Sequence, residues 1–135
     1  MKILIIDAQG GGIGRQLISA LRKECPTAEI TAVGTNCTAT AAMLKAGADR
    51  GATGENAVIV CSRTADMIVG PIGIVIADSL LGEITPAMAT AVGQSCAKRI
   101  LIPMSRCDNI VAGTRELGMG RLIQDAVQEI SMLIR

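Results

Sequence analysis

The chain has 135 residues, half of them apolar, with a net charge of +1 at pH 7, no histidine and no aromatic residue. This length suits one domain of ordinary size, so we expect residues 1–135 to form a single domain. Nucleic-acid binders need basic patches or aromatic stacking platforms, and an anionic membrane surface attracts basic segments. Evenly mixed charges and the lack of aromatic residues therefore argue against both partners.

The cysteines and the first residues of the chain indicate the cellular compartment of the protein. A strand pattern begins at once, so we expect no targeting segment, and no apolar run is long enough to span a membrane. The five cysteines, an odd number without a signal peptide, indicate free thiols in a reducing compartment. They form no CxxC pair and histidine is absent, so we expect small apolar fillers and no metal site. We therefore predict a cytoplasmic protein.

Short β-branched runs alternate along the chain with stretches of helical spacing. The runs predict strands at 2–7, 29–34, 49–52, 66–70 and 99–103. The other stretches predict helices at 13–21, 39–46, 55–63 and 72–81, from Thr85-Pro86 onward, and at 122–134. We interpret 55–63 as a helix because a strand there lies too close to the next strand for a parallel crossover. For the same reason, 109–112 is predicted to be a short antiparallel edge strand.

Alternating strands and helices predict an α/β fold, a three-layer α/β/α Rossmann-like sandwich. Its sheet should be mainly parallel and doubly wound, with about five strands plus the antiparallel edge. A core of Ile, Leu, Val, Ala and Met suits a sheet that is buried on both faces. A chain this short and this apolar leaves apolar surface exposed on the monomer. We therefore expect a homo-oligomer, most simply a dimer.

A glycine-rich loop, Asp-Ala-Gln-Gly-Gly-Gly-Ile-Gly, joins the first predicted strand to the first helix. Such a loop lets the backbone approach a phosphate at a helix N-terminus, although the glycines could also serve tight packing alone. The GxGxxG spacing is not met from Gly10, because Arg15 takes the last position, and no P-loop lysine follows. A Gly-x-x-x-Gly-x-Gly spacing is met with Ala8 in the first slot, which resembles the loop of short-chain dehydrogenases. The predicted phosphate-binding residues are Asp7, Ala8, Gln9, Gly10, Gly11, Gly12, Ile13 and Gly14.

Two further loops are expected at the same edge of the sheet. Thr35 and Asn36 follow the second strand, where a dinucleotide site commonly has an acid. They could bind a ribose, but we favour a helix-capping role. The missing acid weakens the case for NAD and leaves other nucleotides open. Gly70, Pro71 and Gly73 form a second glycine-containing turn, for which ligand binding and a plain turn are equally consistent.

Candidates for catalysis are few. Without histidine and tyrosine, neither a Ser-His or Cys-His nucleophile nor the Tyr-x-x-x-Lys pair of short-chain dehydrogenases can be built. We expect Asp7 to orient the glycine loop by accepting backbone N–H groups. Asp78 and Glu83 are interpreted as a solvated helix end, and Arg106 as a solvated side chain within reach of a phosphate.

Several motifs together resemble a family of short bacterial proteins, many from anaerobic Firmicutes, described as a domain of unknown function. They are Gln-Gly-Gly-Gly-Ile-Gly, Gly-Thr-Asn, Gly-Ala-Thr-Gly-Glu-Asn, Gly-Pro-Ile-Gly-Ile and Leu-Gly-Glu-Ile-Thr-Pro. The first loop of that family typically reads Asp-Gly-Gln-Gly-Gly-Gly-Ile-Gly, so Ala8 is a departure whose methyl group could crowd a phosphate. The resemblance implies a Rossmann-like fold and no established activity.

The leading hypothesis is a small nucleotide-binding protein for NAD(P) or another adenine nucleotide, acting as a sensor, carrier or accessory subunit. One alternative is a small NAD(P)-dependent oxidoreductase, in which the cofactor supplies the chemistry. Another is a non-catalytic interaction subunit whose glycine loop is empty. The sequence leaves open which nucleotide binds and whether any reaction is catalysed.

Overall fold

The computed structural model describes residues 1–104 and 109–135. Its strands are β1 Lys2–Asp7, β2 Glu29–Gly34, β3 Arg50–Thr53, β4 Met67–Pro71 and β5 Lys98–Ile102. Its α-helices are α1 Gly12–Glu24, α2 Cys37–Ala46, α3 Glu55–Ser62, α4 Pro86–Gln94 and α5 Met119–Ile134. A short 3₁₀ turn, Ile72–Val75, follows β4. None of the helices in these two ranges is both long and apolar enough to cross a membrane.

The five strands form one parallel sheet in the order β3-β2-β1-β4-β5. The chain builds β2 and β3 on one side of β1 and then returns to add β4 and β5 on the other side. In the register of the sheet, Ile5 lies between Ala32 of β2 and Val69 of β4. The predicted parallel, doubly wound α/β sandwich is therefore confirmed.

Strand β1 lies at the centre of the core. Ile3 and Ile5 belong to one apolar cluster, with α1, α2 and α5, whereas Leu4 and Ile6 belong to the other, with α3 and α4. Successive side chains of a strand point to opposite faces, so a strand covered on both faces has to be apolar throughout. This explains why the β1 sequence shows no alternation of polar and apolar residues.

The ambiguous stretch 55–63 is a helix, as predicted, and ends one residue earlier, at Ser62. The helix predicted at 72–81 is wrong: only the 3₁₀ turn forms, and turns follow it. Asp78, Leu80 and Leu81 have φ angles of 63°, 55° and 57°, which a right-handed helix does not permit.

The predicted antiparallel strand at 109–112 is also wrong, because these residues form no strand. The side chain of Ile110 is 90% exposed. An apolar run that remains in solvent gains too little burial to offset the entropy lost in ordering a strand.

Candidate functional site

A cavity of about 320 Å³ opens at the carboxyl end of β1, where the order of the strands reverses between β1 and β4. Ligands of open parallel sheets bind in this crevice, because the helices after the two central strands leave toward opposite faces. One side of the cavity is the glycine loop with the start of α1. The other side is formed by Pro71, Leu80, Met104 and Met119.

The glycines of the loop serve different purposes. Gly11 has a φ of 73°, and a Cβ atom there would lie 2.9 Å from Cα of Ala39 in α2. A Cβ atom on Gly14 would overlap the side chain of Met43. Packing against α2 therefore explains Gly11 and Gly14. It does not explain Gly10 and Gly12, where an added Cβ meets no atom of the described residues within 4 Å.

Gly10 and Gly12 both line the cavity and both are exposed. Within 1–104 and 109–135, neither of their N–H groups has a hydrogen-bond acceptor. Helix α1 begins at Gly12; its N-cap residue, Gly11, has no side chain to cap it, and Asp7 accepts the N–H of Gly14 but not that of Gly12. Unpartnered N–H groups at a helix N-terminus attract anions, so this part of the loop can bind a negatively charged group.

Asp7 is buried beneath the loop and holds both of its ends. Its Oδ1 accepts a hydrogen bond from the N–H of Ala8 and its Oδ2 one from that of Gly14, both at 2.7 Å. These are the backbone contacts predicted for this residue. Burial raises the pKa of Asp7 above its usual 3.8, although hydrogen bonds from the loop, first that of Gly14, oppose the rise. The negative charge of Glu83 raises the pKa further.

Ala8 is buried in the core cluster that also contains Ile6 and Leu80. It is not among the residues with positive φ, so its backbone does not require glycine. The crowding of a phosphate by its methyl group stays a prediction.

The interpretation of Glu83 as a solvated side chain is wrong. Its Oε1 accepts hydrogen bonds from Oγ1 of Thr35 at 2.7 Å, Nδ2 of Asn36 at 2.8 Å and the N–H of Gln9 at 2.9 Å. Burial alone would raise the pKa of Glu83, but these three hydrogen bonds outweigh it and hold the pKa below 4.5. Nothing local in the sequence marks Glu83, because its partners lie 47 to 74 residues away along the chain.

Asn36 caps α2, as predicted: its Oδ1 accepts a hydrogen bond from the N–H of Ala39 at 2.9 Å. Its Nδ2 donates to Glu83 and to the carbonyl of Gln9, so the side chain also joins α2 to the glycine loop. Thr35 does not cap the helix. Its hydroxyl is directed to Glu83 instead.

In the second glycine-containing turn, packing requires glycine at position 70 and leaves little room for a side chain at position 73. A Cβ atom on Gly70 would overlap the carbonyl oxygen of Ile6, and one on Gly73 would lie 3.0 Å from Oγ of Ser79. Pro71 is the member of this turn that lines the cavity.

The cysteines are only partly explained as core fillers. Cys25 and Cys61 are half-buried free thiols, whereas Cys37 and Cys96 are exposed. No group of three Cys, Asp or Glu residues in 1–104 and 109–135 is arranged to hold a metal ion. The predicted roles of Arg106 and Cys107 lie outside the described residues.

Comparison with known proteins identifies the family and the fold. The model of the family called Domain of unknown function (DUF3842) matches residues 2–135. Among curated proteins, none is significantly similar in sequence. A solved structure, the dodecameric FMN-dependent Ubix-like decarboxylase from Escherichia coli O157:H7, aligns with 99% of this chain and 94% of its own. The TM-score is 0.54 and the sequence identity 16%, which shows a shared α/β fold and no more.

Proposed function

The chain belongs to the DUF3842 family of domains of unknown function, and we propose that it binds a nucleotide that carries a single phosphate group. In this proposal, the phosphate accepts hydrogen bonds from the N–H groups of Gly10 and Gly12. The base lies against the apolar side of the cavity, which Leu80, Met104 and Met119 provide. FMN is the first candidate, because a solved structure of similar fold is that of an FMN-dependent decarboxylase. An adenine mononucleotide is the second.

One observation carries the proposal. Among the residues that the structure describes, Gly10 and Gly12 have N–H groups without acceptors and no atom close to their Cβ positions, at the point where the strand order reverses. A glycine kept only for packing would have a neighbour close to its Cβ position, as Gly11 and Gly14 do. Close approach of a ligand to the backbone is the other common reason for glycine at such a position.

The charges around the cavity favour one phosphate over several. The described residues that line it include no lysine or arginine, whereas Asp7 lies beneath the loop. Glu83 is hydrogen-bonded to the loop at Gln9. Each added phosphate would bring more negative charge close to these carboxylates. A pyrophosphate, and thus the NAD(P) of the sequence-based hypothesis, therefore fits less well than a mononucleotide.

The volume of the cavity favours the same ligands. At about 320 Å³, it lies at the lower end of the usual range for small-molecule sites, roughly 300–1,000 Å³. A bound flavin would supply redox chemistry, and the chain would bind and orient it. A bound adenine mononucleotide would favour the sensor or carrier role.

The test is a calorimetric titration of the protein with FMN, AMP, ATP, NAD, NADH, NADP and NADPH. We expect FMN or AMP to bind and the others to bind at least about tenfold more weakly. Gly12→Asp should weaken binding about a hundredfold or more, because it brings a carboxylate to the phosphate position. The new side chain enters open space, so the fold should persist.

Gly93→Asp is the matched control. Gly93 lies in α4, where an added Cβ also meets no atom within 4 Å, so this variant should bind like the unmodified protein. Equal affinity of the Gly12→Asp variant, or no binding of any nucleotide, would overturn the proposal and favour the interaction subunit. A change in the spectrum of bound FMN on addition of a substrate would favour the oxidoreductase.

A further inference from the structure

Beside the proposed phosphate site, three hydrogen-bond donors converge on one oxygen of Glu83. They are the N–H of Gln9, the hydroxyl of Thr35 and the side-chain amide of Asn36, all within 2.9 Å of Oε1. Gln9 belongs to the glycine loop, and the other two follow β2. Three donors around a single oxygen match an anionic acceptor, because hydrogen bonds to a charged oxygen are about twice as strong as neutral ones.

These donors are distinct from the N-terminus of α2. The first turn of that helix is capped by Oδ1 of Asn36, which accepts the N–H of Ala39. The group that meets Glu83 is the opposite end of the same carboxamide, Nδ2, together with a hydroxyl and a loop N–H. The amide of Asn36 thus caps the helix with its oxygen and holds an anion with its nitrogen.

The segment that delivers Glu83 has an unfavourable backbone conformation. Leu80, Leu81 and Gly82 have consecutive φ angles of 55°, 57° and 83°, a left-handed turn in which only one residue is glycine. The side chain of Leu81 is 91% exposed, so its burial does not offset this strain. Burial of Leu80 and Ile84, the hydrogen bond from the Ser79 hydroxyl to the carbonyl of Gly73 and the hydrogen bonds of Glu83 hold the segment in place.

We propose that Gln9, Thr35 and Asn36 form an anion seat which Glu83 fills from within the chain, and that Glu83 thereby restricts the adjacent cavity to ligands with one anionic group. The seat adjoins the cavity because Gln9 belongs to both. In dinucleotide-binding folds, an acid at the end of the second strand binds the ribose hydroxyls of the ligand. In this chain Glu83 reaches that place from a distant segment, and its Oε1 is already engaged by three donors of the protein. The restriction on ligands rests on the proposed function, whereas the seat itself does not.

The first experiment titrates ¹⁵N-labelled protein with inorganic phosphate and follows the amide signals by NMR. In the unmodified protein, the N–H groups of Gly10, Gly11 and Gly12 should respond, whereas the Gln9 N–H and the Asn36 side-chain amide, which Glu83 holds, should not. In Glu83→Ala, the Gln9 N–H and the Asn36 side-chain amide should respond as well, because phosphate enters the vacated seat. Adding Thr35→Val to this variant removes one donor and should weaken the second response about fivefold.

Asp78→Asn is the matched control, because it removes a carboxylate from the same segment without removing a contact to Gln9, Thr35 or Asn36. It should behave like the unmodified protein. If the Glu83→Ala variant folds but shows no phosphate response at Gln9 and Asn36, the proposal that these residues form an anion seat is wrong. A response at these two residues with none at Gly10 and Gly12 would support the seat and contradict the proposed function.

A second measurement needs no variant. Hydrogen exchange should be markedly slower at the Gln9 N–H, which Glu83 accepts, than at the N–H groups of Gly10 and Gly12. Equal exchange at the three positions would mean that Glu83 does not fill the seat. The restriction on ligands is tested with NAD, which should bind Glu83→Ala at least about tenfold more tightly than the unmodified protein. Unchanged NAD affinity would overturn the restriction.

Discussion

Two carboxylates flank the glycine loop, and their environments shift their pKa values in opposite directions. Asp7 is 4% exposed, and the loss of solvent outweighs its hydrogen bonds, so its pKa is raised. Glu83 is less buried and accepts three hydrogen bonds, so its pKa is lowered. Asp7 could be recognised from the sequence because its partners are its neighbours in the loop. Glu83 could not, because its partners follow β1 and β2 and only the fold brings them together.

These opposite shifts predict opposite effects of pH on stability. Native Asp7 holds its proton at a pH where the unfolded chain has lost it, so its contribution to stability falls as pH rises from 3.8 through the raised pKa. Glu83 contributes stability above 4.5, which is lost as pH falls through its lowered pKa. Urea unfolding from about pH 3 to about pH 7 measures both effects.

The stability advantage of the unmodified protein over Asp7→Asn should therefore shrink as pH rises above 3.8. Its advantage over Glu83→Gln should shrink as pH falls below 4.5. An advantage that stays constant with pH in either comparison would contradict the corresponding pKa shift. For Asp7→Asn we also expect a loss of stability that does not depend on pH, because asparagine provides one acceptor oxygen where the carboxylate provides two.

At the scale of the elements, Arg22 joins α1 to the segments around β2. Its guanidinium donates to the carbonyl oxygens of Gly47 at 2.8 Å and Ala28 at 2.7 Å, and it pairs with Asp49 at 2.9 Å. Asp49 in turn accepts the N–H of Ile30, the second residue of β2, at 2.8 Å. From the sequence alone, Arg22 is one basic residue in the last turn of a helix, and its partners cannot be inferred.

Arg22→Ala should lower the free energy of unfolding by about 2 kcal/mol, because it removes a donor from the carbonyl oxygens of Gly47 and Ala28 and leaves the Asp49 carboxylate with the N–H of Ile30. Arg22→Lys should lose most of the same free energy, since an ammonium group cannot reproduce the planar fork of donors. Urea unfolding at neutral pH measures both changes. Stability of the lysine variant equal to that of the unmodified protein would show that charge alone matters there.

Arg50→Ala is the control for this comparison. Arg50 pairs with Glu29 at 2.9 Å, but its side chain is 65% exposed. An exposed ion pair contributes little, so this variant should lose less than about 1 kcal/mol.

At the scale of the whole molecule, several large apolar side chains remain in solvent. Ile110 is 90% exposed and Met132 is 58% exposed, and both Leu133 and Ile134 at the end of α5 are also exposed. Exposed apolar groups on so small a chain are commonly covered by another copy. The homo-oligomer expected from composition stays a prediction, and so does its simplest form, a dimer.

Analytical ultracentrifugation at micromolar concentration should give a mass that is a multiple of the mass of one chain. Ile110→Glu or Met132→Glu should shift this mass toward the monomer, because a buried carboxylate without a partner opposes association. Gln94→Glu, on the exposed side of α4, should leave the mass unchanged. A monomer at every concentration would refute the prediction.

The sequence by itself determined the α/β class, the five strands of the described chain, most of the helices and the glycine loop. These features depend on neighbouring residues: a strand that is buried on both faces is an apolar run, a helix that is buried on one face has a period of 3.6, and a tight turn to a helix requires glycine locally. The same reasoning failed at 72–81, because apolar spacing contains no information on the positive φ angles of Leu80 and Leu81.

The tertiary structure decided the roles within the site. Only the position of α2 shows that Gly11 and Gly14 serve packing whereas Gly10 and Gly12 do not. Only the order of the strands brings Glu83 to the residues after β1 and β2. The physical reason is that a hydrogen bond or a steric contact acts over a few ångströms in space. It depends on distances that the fold sets between residues far apart in the chain, and no local pattern of the sequence records them.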